Sequence, residues 1–319
     1  MILLSACSTK EVFQPKELQD EWDQYGSIQS NIVDTSLNIA KLEDNKVLTS
    51  EGVLDIRIDK NKRVLSLSDG WVISASIDGN ITLVSTKDNS LKKDFQLKKT
   101  VAAASVHANT LAVLFADNEI ALYSLETKEL LFKEQGGKST AVNTKIVSPY
   151  FMNGLVLFST LDGKVIIVNL KMKKRLRTVI VSSEDNFNNI IYLNIVDKKI
   201  VAATAYKVLA LSKKELRVKY EIRDIIYDKK NLYIATKQGE IISLTPDLQV
   251  NSKIKFPFAH FLGMVSDGEY IYILEKEGYI IKLNKNMKDY TVHEVDISNG
   301  FIFVTNKLFY VNNKIILIK

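Results

Sequence analysis

From about residue 60 onward, one arrangement of apolar and polar positions recurs seven times. A short run rich in Val, Ile, Leu, Tyr and Phe meets a tight turn and is followed by a second such run. The runs occupy 71–85, 111–124, 155–170, 200–212, 232–244, 271–283 and 308–318. Their turn residues, Gly79, Asn118, Gly163, Tyr206, Gly239, Gly278 and Asn313, are spaced 39, 45, 43, 33, 39 and 35 apart. Gly and Asn supply the positive φ that two-residue hairpin turns require. Tyr206 does not, and marks the fourth hairpin as irregular. The β-branched and aromatic flanks suit pleated, largely buried strands.

Each hairpin is preceded by another apolar run, as at 144–148 and 223–227. Each is followed by a polar corner and a weakly alternating run, as at 86–95 and 126–132. Four strands per period of about 40 residues is the pattern of a propeller blade. The predicted fold is all-β: a β-propeller of four-stranded blades, with seven blades favoured and eight the alternative. The seventh repeat stops after its third strand, so closure calls for a strand from the N-terminal side, within 37–43 or 47–58. The same stretch has enough strand-like material for part of an eighth blade. The expected organisation is a lipobox segment at 1–7, a polar linker at 8–35 and a propeller at 36–319.

Composition narrows the function. The 319 residues are 46% hydrophobic, too apolar for a disordered chain. One cysteine excludes a disulfide framework or a four-cysteine zinc site, and three histidines (His107, His260, His293) leave little for a metal cluster or a nucleophile–base relay. No glycine-rich phosphate loop, GxSxG or HExxH occurs. The Asp-Gly pairs at 69–70, 78–79, 162–163 and 267–268 lack further carboxylates at calcium-loop spacing, and read as turns. The expectation is no enzyme, no catalytic residue, no cofactor and no metal.

The net charge of +6 comes from lysines found along the whole chain. Its densest stretch, Lys171-Met-Lys-Lys-Arg-Leu-Arg177, has no interleaved aromatics. It reads as a charged sheet edge, not a nucleic-acid patch. In contrast, Lys255-Phe-Pro-Phe-Ala-His-Phe261 joins one blade to the next on the face that also carries the hairpin turns. Phe256, Phe258 and Phe261 are the candidate partner surface, the competing reading being filler between blades.

Two resemblances sharpen this picture. Leu122-Tyr-Ser-Leu-Glu-Thr-Lys-Glu-Leu-Leu-Phe132 resembles the pyrroloquinoline-quinone-type (PQQ-like) propeller repeat, with Phe95 and Phe132 standing where that repeat carries tryptophan. Leu4-Ser-Ala-Cys7 resembles the lipobox of bacterial lipoproteins, which implies lipid attachment at Cys7 and a leader longer than the six residues before it. A lipobox, a linker and one propeller together resemble the BamB family of outer-membrane β-barrel assembly factors. That resemblance implies a monomeric, lipid-anchored scaffold facing the periplasm, with protein partners in the barrel insertase complex. The alternatives are a surface-exposed adhesion or ligand-binding lipoprotein and, on the shared repeat alone, a quinone-dependent dehydrogenase.

Overall fold

The computed structural model describes residues 11–297 and 299–318; Cys7 lies outside them. The described residues form eight four-stranded antiparallel sheets. These are blades 1 (32–57), 2 (62–96), 3 (101–135), 4 (150–180), 5 (192–219), 6 (222–255), 7 (261–294) and 8 (302–317 with 25–27). In blades 1–7 the first strand is innermost and the fourth outermost. No helix among the described residues is long and apolar enough to cross a membrane.

The repeating hairpins are the middle two strands of each blade. Both of their faces are covered by neighbouring blades, which is why the runs are continuously apolar. In blade 2, Trp71–Ser76 and Asn80–Ser85 are mostly buried, whereas the outer strand Lys92–Gln96 buries only Phe95 fully. The apolar side chains gather in eight clusters, one for each seam between adjacent blades. Ile73, Ile81 and Leu83, for example, pack against Leu111, Val113 and Phe115 at the seam of blades 2 and 3. Each fully buried aliphatic side chain contributes roughly 1.5–3 kcal/mol, so the ring is held by its seams.

Five expected turn residues take positive φ: Gly79, Asn118, Gly163, Gly239 and Gly278. In blade 5 the Thr204 hydroxyl substitutes, accepting from the amides of Tyr206 and Lys207. In blade 8 the left-handed residue is Asn312, not Asn313.

The blade count is eight rather than the favoured seven. The runs at 37–43 and 47–58, expected to complete the last repeat, instead build a blade of their own (Ala40–Leu42, Lys46–Thr49 and Gly52–Arg57) together with Ile32–Thr35, from the stretch expected to be linker. Its hairpin turns on Asn45 (φ 67°), without a glycine. Lys41, 5% exposed, donates to the carbonyls of Asp59, Lys60 and Lys62 and so ties this blade to the next. Desolvation lowers its pKa, against the pull of Asp34 and Asp59. Closure falls to a strand further upstream: Tyr25–Ser27 pairs with the third strand of blade 8, in register Tyr25↔Ile316, Gly26↔Ile315 and Ser27↔Lys314.

The polar segment before that strand is strapped across the outside of blade 7. The Gln19 and Trp22 amides donate to the carbonyls of Val292 and Glu294 on its outer strand. Trp22 is buried against Tyr272 and His293, and its indole N–H donates to the Leu317 carbonyl at 2.9 Å. Phe13 enters the seam of blades 6 and 7.

Candidate functional site

Among the described residues, no group of three or more His, Cys, Asp or Glu is placed to hold a metal ion. His107 ends the inner strand of blade 3, 3.4 Å from Asp69. His260 precedes blade 7, where its amide donates to Glu275. His293 sits under the N-terminal strap, within hydrogen-bonding distance of Thr291 and the Asp20 carbonyl. The three are not brought together.

The inner strands are laced to one another. Asp34 accepts from the Val64 amide, Ser66 donates to the Ala104 carbonyl, Ser105 to that of Pro149, and Asp224 accepts from the Met264 amide. The other Asp224 oxygen meets Lys145 Nζ at 2.6 Å. Lys145 precedes the inner strand of blade 4 and Asp224 lies in that of blade 6, so this pair passes blade 5 on its inner side. Beside it, Arg223 has a buried Nε without a hydrogen-bond partner, and desolvation lowers its pKa. Tyr192, on the blade between, has its pKa pushed up to about 12, chiefly by burial. This inner wall is an interlocked polar belt.

A shallow cleft of about 270 Å³ opens where the first-to-second-strand turns of blades 2 and 3 meet the inner strand of blade 4. Asp69, His107, Tyr150 and Phe151 line it, and the His107 and Phe151 rings lie 5.6 Å apart. Nothing in the sequence pattern pointed to it, because its residues come from three repeats.

The structure separates the three candidate phenylalanines. Phe256 and Phe261 are buried, 6.3 Å apart edge to face, and Phe256 also meets Phe13 and Tyr290. Phe258 takes φ 64° and is 58% exposed, so it alone offers surface to a partner. Phe95 is buried between blades 2 and 3, and Phe132 packs at the seam of blades 3 and 4.

The basic run 171–177 forms the third-to-fourth-strand turn and outer strand of blade 4. It is the edge of its sheet. Arg175 pairs with Glu134 of blade 3, while Arg177 pairs with Glu215 of blade 5. Residues two apart on a strand normally share a face. A bulge at Leu176 adds one residue between them and turns the arginines to opposite sides. Arg217 of blade 5 donates to the Ile180 carbonyl, capping this edge.

A closed ring of blades whose exposed features are turns, shallow clefts and charged edges defines a β-propeller with surfaces suited to interaction. The chain belongs to the family described as the RSE1/DDB1/CPSF1 second β-propeller, whose model matches residues 75–308. It is 28% identical to the plasminogen-binding protein PgbB of Helicobacter pylori, in strains J99 and 26695. Each alignment covers 99% of this chain and 68% of that protein. Among solved structures it is similar to BamB from Moraxella catarrhalis, with TM-score 0.71, 12% identity, and coverage of 91% of this chain and 98% of that one. It is also similar to Sqt1 of Saccharomyces cerevisiae, with TM-score 0.61, 12% identity, and coverage of 94% and 99%. At these identities the solved structures share the fold alone.

Proposed function

We propose that this chain is a non-enzymatic, protein-binding propeller of the bacterial cell envelope, lipid-anchored at Cys7 in the outer membrane. Its leading partner class is an extracellular protein ligand of the plasminogen kind. The similarity to PgbB carries this reading, because it spans 99% of the chain and so includes its turns and edges as well as its core. Turns and edges are where a propeller recognises partners, and Phe258 is an exposed aromatic side chain on such a turn.

The second reading is a periplasm-facing scaffold that docks on the barrel insertase, favoured by the match to 98% of the BamB chain. Both readings require protein partners, and they differ in which side of the membrane the propeller faces. Fold alone does not choose between them.

Protease shaving of intact cells, paired with a crosslinked pull-down of the full-length protein from native envelopes, tests both. Loss of the propeller on shaving, with plasminogen retained by the purified protein, supports the first reading. Protection from protease with recovery of the barrel insertase supports the second and overturns the first. Labelled-palmitate incorporation that persists in Cys7→Ala removes the lipid-anchor assignment.

A further inference from the structure

The outer edges of blades 4 and 5 carry a concentration of charge unlike the rest of the molecule. Residues 170–180 and 212–219 hold nine lysines and arginines against one acid, Glu215. The whole chain has 43 against 37, which leaves 34 against 36 elsewhere. The net positive charge of the protein therefore resides on two neighbouring outer strands and the turns that lead into them. The basic excess that looks scattered along the sequence is gathered by the fold.

Within this patch the cations divide by type. The three arginines are engaged: Arg175 with Glu134, and Arg177 and Arg217 with Glu215. Among the described residues, Lys171, Lys173, Lys174, Lys213, Lys214 and Lys219 have no ion pair, and all are exposed. Large apolar side chains stand between them, with Met172 57%, Leu176 51% and Leu216 38% exposed.

Three features select the occupant. Neither strand bears an aromatic ring, which disfavours base stacking and a protein hot spot alike. The bulge at Leu176 and the Arg217 cap on Ile180 disfavour addition of a peptide strand to this edge. What remains is a display of exposed ammonium groups interspersed with exposed apolar side chains, complementary to anionic headgroups over an acyl interior.

We propose that the outer rim of blades 4 and 5 is a docking surface for an anionic phospholipid bilayer. The lysines supply long-range attraction, while Met172, Leu176 and Leu216 enter the headgroup layer. This surface is independent of which protein partner the propeller binds. It would fix the orientation of the ring against a membrane.

Co-sedimentation of the full chain tests the proposal, using neutral phosphatidylcholine vesicles and vesicles with roughly 30% phosphatidylglycerol. The expected result is at least about tenfold stronger binding to the anionic vesicles, lost at about 0.5 M salt. The triple variant Lys171→Glu, Lys173→Glu, Lys214→Glu should lose at least about tenfold of that binding while keeping the wild-type melting temperature, since all three side chains are exposed. Met172→Ser should weaken binding without changing its salt dependence. Equal binding to both vesicle types, or a triple variant that binds like the wild type, overturns the assignment. So does capture of polyglutamate with no preference for vesicles, which would make the partner an acidic polypeptide.

Discussion

Trp22 offers the sharpest test of how the ring is held closed. Its indole is 7% exposed, lies edge-on to Tyr272 at 6.0 Å and to His293 at 5.2 Å, and donates to the Leu317 carbonyl. Trp22→Ala removes this packing at the seam of blades 7 and 8 and leaves a carbonyl without its donor. Aromatic-to-alanine changes in cores cost about 3–5 kcal/mol. The site lies at the sheet edge, where water can reach the freed carbonyl, so we take about 3.5 kcal/mol. Unfolding entropy runs at about 2.1 cal/mol/K per residue, and over 319 residues this loss lowers the melting temperature by about 5 °C. Trp22→Phe keeps much of the packing and loses the hydrogen bond, about 1 kcal/mol, and should shift melting by about 1–2 °C. Thermal unfolding followed by far-ultraviolet circular dichroism reads both variants. A Trp22→Ala shift under about 1 °C, or equal shifts for Ala and Phe, would refute the idea that this segment clamps the ring.

Further predictions follow from the turns and the aromatic loop. Gly239 has φ 77°, and a Cβ there would collide with the Phe256 carbonyl, whereas one on Gly268 (φ 52°) would meet nothing within 4 Å. Gly239→Ala should therefore lower the melting temperature several-fold more than Gly268→Ala, which bears only the backbone cost of about 1 kcal/mol. Phe256→Ala should destabilise by about 3–5 kcal/mol, while Phe258→Ala leaves melting unchanged, and partner capture by Phe258→Ala tests whether that ring is an anchor. Burial raises the Glu275 carboxyl above its usual 4.5, opposed by hydrogen bonds from the His260 and Glu277 amides. The folded state then holds this proton more tightly than the unfolded chain. The stabilising contribution is complete below pH 4.5 and is lost as pH rises through the elevated folded value. The melting temperature of wild type minus that of Glu275→Gln should accordingly fall as pH rises above about 4.5, and a flat difference would count against it.

The propeller was legible because both faces of the middle strands are buried, which writes each hairpin as continuous apolar runs around a Gly or Asn turn. Blade 1 escaped the count for local reasons. Its strands Ala40–Leu42 and Lys46–Thr49 are short, and its turn is Asp44-Asn45 with no glycine. The closing strand Tyr25-Gly26-Ser27 has one apolar residue and no alternation, so only its distant partner identifies it. Phe13 and Trp22 stand in a polar stretch, and nothing local announces their burial. Of the Phe256, Phe258 and Phe261 set, composition gave three equivalent rings, and only the positive φ at 258 sets one outward. The charged rim was half visible: the run 171–177 stood out, but 212–219 joined it only once the ring made blades 4 and 5 neighbours.

The pairing of Tyr25–Ser27 with Lys314–Leu317 also has a consequence in time. The two partners lie almost 290 residues apart, so the first residues of the ring to be synthesised must wait for nearly the last before they can pair. Until then the growing chain is an open arc with the inner seam of blade 1 uncovered, because the cluster of Ile32, Ala40 and Leu48 needs Phe303 and Tyr310 to complete it. Sequence-distant closure of this kind slows folding and leaves apolar seams open to misassociation. Closure therefore waits for the last blade of the ring, and the first blade keeps an open apolar seam until that blade has formed.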